Sequence, residues 1–405
     1  MNRCFIVADD FTGSNDTGVQ LTRRGFRTMV TLNPAGVKDD GLSYVLDTES
    51  RNIPGAEARA KVAGLLAGLD LSGFDCVIKK VDSTLRGNIA EEIQETDRVH
   101  GSELVIFMPA LPTLGRTTKN SVHKLNGVRI GMTELARDPR KPVLQDNIAE
   151  ILRSAYDEPV GALTLPAIRE GQIDLSSARL WACDAESNED MRAVIAAAKA
   201  TGKRTLWVGT AAMADNLINA EHPPLPSLAV IASVSEVARK QIHFAEGKGL
   251  LVQRVDIADI LRGGDKSAYV LRAVDALRAG QDLAFVSSAS YDRAELDASV
   301  AAGAARGMSR DEVAEFTGDT ISELAADILD QVKVSGLFLS GGDTAIHFFD
   351  AVHATGSEIV FELSVGIPMM KLSGGRFDGL KVITKAGAFG TEEVLPVIMR
   401  KLGEA

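Results

Sequence analysis

Cys4-Phe-Ile-Val-Ala8-Asp9-Asp10-Phe-Thr-Gly13-Ser-Asn-Asp16 is a five-residue apolar run that stops on two acids and enters a glycine-bearing polar loop. The residues that follow, Thr17–Arg24, have the spacing of a helix. Strand, polar loop, helix is the repeating unit of an α/β fold, and the chain returns to it. Tyr44–Leu46, Val77–Lys80 and Leu104–Met108 have strand character, with Ala56–Ala67 and Gly87–Val99 reading as helices among them. A second series places strands at Ala229–Ile231, Leu283–Val286, Gly336–Leu339 and Lys381–Thr384, with helices at Ser235–Phe244 and Asp311–Val332. Between the series stands Glu221-His-Pro-Pro-Leu-Pro226, whose prolines cannot continue a helix and stiffen the chain. Two α/β domains are expected, residues 1–225 and 226–405.

Length agrees with that division, because single cores stop growing well short of 405 residues. Hydrophobic residues make up 45% and charged residues 24%, an ordinary globular balance that excludes disordered and fibrous classes. With 44 Lys+Arg against 55 Asp+Glu the net charge is -11, which argues against nucleic acid or an anionic membrane as partner. An anionic ligand must then find locally placed cations. Cys4, Cys76 and Cys183 are widely spaced with no C-x-x-C pair, so they read as small core residues rather than disulfides or zinc ligands. No run reaches about 18 uncharged apolar residues, and the first apolar run is too brief for a signal peptide. A cytoplasmic protein is expected.

Open α/β sheets bind ligands outside the carboxyl ends of their strands. Four loops there are rich in polar and glycine residues: Asp9–Asp16, Lys79–Asn88, Ser340–Thr344 and Lys385–Thr391. In the first, Asp10 or Asp16 could cap the helix, but caps alone do not require two adjacent aspartates. The second, Lys79-Lys80-Val81-Asp82-Ser83-Thr-Leu-Arg86-Gly-Asn88, mixes cations for a carboxylate with an acid and hydroxyls for alcohol groups. Arg51, after Leu46-Asp-Thr-Glu-Ser50, and Arg116, in Pro112-Thr-Leu-Gly-Arg-Thr-Thr118, are expected on the same sheet edge. Together these suit a small polyhydroxy acid.

In the second domain, Gly336-Leu-Phe-Leu-Ser340 leads through Gly341-Gly342 to Asp343, read as the cap of a helix starting near Thr344. Backbone N–H groups at such a helix start bind phosphate, and glycines let it approach the main chain. Leu372-Ser-Gly-Gly375 and Lys385-Ala386-Gly387-Ala-Phe-Gly390 add two glycine segments, and three in one domain point to a nucleotide. Neither G-x-x-x-x-G-K-[ST] nor a helix-opening G-x-G-x-x-G occurs, so P-loop and protein-kinase types are excluded. Absence of H-E-x-x-H and G-x-S-x-G, and of metal spacing among six histidines, weakens hydrolase and zinc readings.

Ala8–Leu21 (A-D-D-F-T-G-S-N-D-T-G-V-Q-L) and Lys79–Asn88 (K-K-V-D-S-T-L-R-G-N) resemble the four-carbon acid sugar kinase family. Pro109–Thr118, Ala232–Ile242, Ser340–Thr344 and Val382–Gly390 extend the likeness, in order, over nearly the whole chain. The resemblance implies a Rossmann-like, parallel-sheet sugar-acid-binding domain followed by an α/β nucleotide-binding domain. It also implies transfer of the ATP γ-phosphoryl group to a terminal hydroxyl, with Mg²⁺ as the metal and D-threonate as the expected acceptor. Carried over, it assigns substrate contacts to Asp10, Arg51, Lys80, Val81, Asp82 and Ser83, and ATP contacts to Ser233, Gly341, Gly342, Asp343, Thr344, Lys385, Ala386 and Gly387. Arg129 and Met132 depart from the family pattern after Arg116, and Ala388 replaces a glycine.

On this reading Asp10 accepts the hydroxyl proton, Arg51 and Lys80 hold the carboxylate, and Asp82 with Ser83 reads the inner hydroxyls. Asp343 is the candidate metal ligand, and the domains are expected to close over both substrates. Other readings stay open at this point: a kinase for erythronate or 2-oxo-tetronate, and a non-catalytic sugar-acid binding protein. A nicotinamide dehydrogenase lacks its glycine fingerprint here. Whether the chain forms a homo-oligomer is left open by the sequence.

Overall fold

The computed structural model describes residues 3–404 and divides the chain into two compact units, Met1–Pro223 and Pro224–Ala405. The division falls inside the proline-rich segment.

The first unit is built on an eight-stranded sheet. Its strands are β1 (Cys4–Ala8), β2 (Thr28–Thr31), β3 (Ser43–Asp47), β4 (Cys76–Lys80) and β5 (Leu104–Met108), then β9 (Val160–Leu163), β10 (Leu180–Cys183) and β11 (Thr205–Gly209). Three short strands, β6 (Arg116–Lys119), β7 (Val122–Leu125) and β8 (Val128–Arg129), form a separate antiparallel sheet after β5. The large sheet runs β2-β3-β1-β4-β11-β5-β10-β9, with every pairing parallel. Helices cover both faces of a parallel sheet, so its strands read as unbroken apolar runs. Accordingly β1 and β5 are buried at every position. Ile6, Ile78 and Trp207 pack into the core on one face, and Phe5, Phe107 and Val208 into the core on the other.

Chain order explains where a ligand goes. After β1 the chain lays β2 and β3 on one side, then crosses to place β4 on the other. The loops leaving β1, β3 and β4 therefore meet where the winding reverses, which is the crevice such sheets use.

The second unit repeats this plan with β12 (Leu228–Ile231), β13 (Leu251–Val255), β14 (Leu283–Ser287), β15 (Leu337–Ser340), β16 (Gly356–Ser364), β17 (Ile367–Ser373) and β18 (Lys381–Lys385). The order is β13-β14-β12-β15-β18-β17-β16; the first five strands are parallel, and β17 and β16 are antiparallel. The winding again reverses beside the first strand, here β12. No described helix is long and apolar enough to cross a membrane.

Two helix starts differ from the sequence expectation. The first helix spans Phe11–Thr22 rather than beginning at Thr17, because the Asp10 side chain accepts the Gly13 N–H and serves as its N-cap. Helix Gly342–Ala351 is capped by Gly341, not Asp343. Gly341 has φ +113°, a backbone setting that glycine alone adopts readily, so the chain turns there and Asp343 falls in the first helical turn.

Candidate active site

In the first unit, Arg51 is the hub of the crevice. Its Nε and Nη2 donate to Asp9 at 2.6 and 3.0 Å, while Nη1 and Nη2 donate to the two Asp10 oxygens at 2.7 and 2.6 Å. Asp82 lies 3.8 Å from Nη1 on the third side. Burial works against the charge on Arg51, but Asp9, Asp82 and Asp10 together raise its pKa, so it stays a cation. This differs from the expectation that Arg51 grips a ligand carboxylate: four hydrogen bonds to two aspartates occupy its fork. Gly87, at φ +111°, is packed against this pair; a Cβ there would come within 3.2 Å of Asp9 Oδ2.

Asp10 is the reachable acid of the cluster, with its side chain 21% exposed against 2% for Asp9. Its Oδ1 accepts from Gly13 N–H and Arg51, whereas among the described residues Oδ2 accepts only from Arg51 and so keeps a lone pair for another donor. Gly13 matters for what it lacks: a Cβ would stand 2.5 Å from Asp10 Oδ1 and 2.9 Å from Lys80 Nζ. Carboxylate and ammonium thus stand close together beside the helix start. Lys80 is buried, and burial lowers its pKa while Asp9, Asp82 and Asp10 pull it back up.

Asp82 is spoken for. Thr84 Oγ1 and Arg86 donate to it, the latter through Nε at 2.9 Å and Nη2 at 3.2 Å. Burial opposes its ionisation, but Arg86, the Arg51 charge and Thr84 overcome that and hold the carboxyl well below the usual range. Val81 is a core side chain whose N–H donates to the Gly209 carbonyl, so it offers a ligand main chain at most. The Ser83 carbonyl accepts from His123 Nε2 at 3.0 Å, and Thr118 Oγ1 lies 2.8 Å from Nδ1. Burial pushes the His123 pKa down to about 4, which keeps that ring neutral near pH 7. Arg116, expected to join the cluster, lies on β6 with its Nη1 donating to the Leu114 carbonyl at 3.1 Å and its charge reaching His123.

In the second unit, the loops after β12 and β15 and the loop after β18 open onto a cavity of about 490 Å³. Its apolar part is lined by Ile257, Leu296, Val300 and Val313, and its polar end by Ser233, Ser235, Gly341–Thr344 and Gly387. Close main-chain approach requires glycine here. A Cβ on Gly387 would lie 2.3 Å from Ser233 Oγ, and one on Gly341 3.0 Å from Thr344 Oγ1. Ser235 Oγ donates to the Gly387 carbonyl at 2.8 Å, and Gly341 N–H to the Lys385 carbonyl at 2.8 Å, so the three loops lock together. An apolar slot ending at a helix N-terminus with bare main chain can seat a flat ring system and a phosphate chain.

Lys385 is buried at that end, its ammonium donating to the Ala386 and Gly387 carbonyls at 3.0 and 3.2 Å. Burial lowers its pKa to about 8. Asp343 lines the cavity from the first turn of its helix. Among the described residues no three His, Cys, Asp or Glu side chains gather as a metal cage. A single carboxylate beside a phosphate site does fit Mg²⁺, which is usually held by one or two carboxylates plus substrate phosphates. Gly374 and Gly375, by contrast, turn the chain after β17 against Thr355 and Val352 and do not line the cavity.

As expected from the sequence, Asp10, Lys80, Asp82, Ser83 and the Gly341–Gly342 and Gly387 loops stand at the carboxyl ends of strands. Sequence reasoning missed Asp9 and Arg86 as partners, and the buried Lys79, Glu92 and His123. The Lys79-Lys80 doublet carried a usable signal, since adjacent strand residues point to opposite faces.

Residues 4–217 match a family model described as a sugar-binding N-terminal domain, and residues 228–395 one described as a nucleotide-binding C-terminal domain. The chain is 34% identical to a D-threonate kinase of Salmonella typhimurium, across 97% of this chain and 96% of that one. It is 29% identical to a D-erythronate kinase of Heliobacterium modesticaldum, across 97% and 95%. A crystal structure from Bordetella bronchiseptica, described as a domain of unknown function with bound citrate in a domain-swapped dimer, matches with a TM-score of 0.66. That match is at 27% identity and covers 99% of this chain and 98% of that one.

Proposed function

The chain belongs to the four-carbon acid sugar kinase family, and from that premise we propose that it phosphorylates D-threonate at its terminal hydroxyl, using ATP and releasing ADP. The observation that carries the reading is the meeting, beside Gly13, of the Lys80 ammonium with Asp10, whose Oδ2 keeps a lone pair. A hydroxylated carboxylate needs an acceptor for its alcohol and a cation for its charge, and these two side chains supply both.

In the proposed reaction the terminal hydroxyl donates to Asp10, which takes the proton as the oxygen bonds to the γ-phosphorus and the bond to the ADP oxygen breaks. Arg51 holds Asp10 in place rather than gripping the acid. Lys80 supplies the positive charge that draws the carboxylate, and the Asp82–Ser83 segment, fixed by Arg86 and His123, meets the inner hydroxyls. The second unit binds the nucleotide, with adenine in the apolar slot and the phosphates on Gly341–Thr344, Ser233 and the Lys385–Gly387 segment. Asp343 would hold Mg²⁺, whose charge offsets that of the phosphates. A cytoplasmic setting, where ATP is available, goes with this reading.

D-Erythronate is the second acceptor to test, because a relative of similar coverage is a D-erythronate kinase. A coupled assay of ADP release across four-carbon acids decides between them. The proposal expects the highest kcat/KM with D-threonate; a higher value with D-erythronate would reassign the acceptor, and no release with any acid would end the proposal.

A further inference from the structure

We propose that Glu92 and Lys79 are positioning residues: a buried ion pair that sets where Arg51, and with it Asp10, stands. Lys79 on β4 and Glu92 on the helix Ile89–His100 meet at 2.8 Å, with side chains 0% and 2% exposed. Stability gives little reason to keep such a pair, because burying two charges costs about what their attraction returns and apolar replacements of like volume are often neutral or stabilising. What the pair does have is a full set of directed partners.

Lys79 Nζ donates to the Lys80 carbonyl at 2.7 Å and the Val7 carbonyl at 3.3 Å, at the carboxyl ends of β4 and β1. Glu92 Oε1 accepts the Ser50 hydroxyl at 2.7 Å. Ser50 Oγ is in turn 2.7 Å from Thr48 Oγ1, which donates to the Ala8 carbonyl at 2.8 Å. One ion pair therefore ties together the ends of the three strands whose loops form the crevice. Ser50 directly precedes Arg51, and both N–H groups donate to the Asp9 carbonyl, at 3.0 and 3.2 Å. Asn88, at the start of the same helix, donates to the Ser50 carbonyl at 2.8 Å and the Ile53 carbonyl at 3.0 Å. The segment from Thr48 to Ile53 is thus hung on that helix by polar contacts. Its one side chain in the crevice cluster, Arg51, is aimed by them.

The kinetic part of this inference rests on the proposed function; the geometric part does not. The test uses the full chain as Lys79→Met/Glu92→Met and, separately, Ser50→Ala. Expected for the double variant are a melting temperature at or near the parent's and an Arg51 displaced from Asp10 in its crystal structure. Its kcat should fall about tenfold or more, as small misplacements of reacting groups do, with KM for ATP unchanged. Ser50→Ala should lose kcat in the same direction with less displacement. A folded double variant with parental kcat, or with Arg51 still seated on Asp10, would overturn the inference. Should the double variant fail to fold, Ser50→Ala decides by the same two readouts. If the parent phosphorylates no four-carbon acid, the functional reading fails, and the Arg51–Asp10 geometry in the variants still decides this one.

Discussion

Arg51 holds Asp10 by a two-pronged contact, Nη1 donating to Oδ2 at 2.7 Å and Nη2 to Oδ1 at 2.6 Å. A bidentate guanidinium fixes both the position and the plane of a carboxylate, which a single lysine contact would not. The carboxylate to which the proposed function gives the proton is therefore aimed before any ligand arrives.

Asp10→Asn keeps the helix cap to Gly13, since asparagine caps as well as aspartate, but removes the proton acceptor. The expected result is a loss of about 10²–10⁴-fold in kcat with a modestly lowered melting temperature, since the amide NH2 meets Arg51 Nη1 donor to donor. Steady-state kinetics and a thermal melt check both halves, and unchanged turnover would take Asp10 out of the base role.

Gly13→Ala would place a methyl group 2.5 Å from Asp10 Oδ1 and 2.9 Å from Lys80 Nζ. Since real contacts are longer than that, the two groups must part or the helix start must shift. Saturation kinetics should show KM for the acid rising steeply and KM for ATP changing less, because the added methyl meets only first-unit side chains.

Gly387→Ala should do the reverse. Its added methyl would meet Ser233 Oγ at 2.3 Å, distorting the polar end of the second unit's cavity. Fluorescent nucleotide titration is expected to show weakened ATP binding, with binding of the acid to the first unit unaffected as judged by its thermal shift.

Lys385 gives a pH dependence with a defined sign. Its folded pKa of about 8 lies below the ordinary 10.5, so between those values the unfolded chain carries a proton the folded chain lacks. Stability contributed by this group therefore rises with pH through that window. Phosphate binding runs the other way, because it favours the charged ammonium. ATP affinity should fall as pH rises above 8, and calorimetry at that pH in buffers of different ionisation enthalpy should show proton uptake on binding. Lys385→Met should abolish the uptake.

The parts of the fold legible in the sequence are those written in local pattern. β1, β4, β5, β12, β14 and β15 were visible because strands covered on both faces are continuous apolar runs. β16 was not, since its burial pattern is largely exposed and carries no period. Asp10 was legible because its loop follows such a strand, and Gly387 because its loop is glycine-rich and follows β18. The partner of Arg51 was not, because a contact spanning 41 positions leaves no mark in either neighbourhood. Lys79 and Lys80 look alike in the sequence, yet one is locked to Glu92 and the other stands beside Gly13 and Asp10, a difference set by which sheet face each meets. Gly374-Gly375 misled for the opposite reason: paired glycines suit a hairpin turn as well as they suit a phosphate.

The most direct measurement is phosphorus-31 NMR of the product formed from ATP and D-threonate by the purified chain. Our account predicts a new phosphate monoester coupled to the methylene protons of the terminal carbon, in equal amount to the ADP released. A monoester on an inner carbon, or free phosphate in place of any ester, would contradict it.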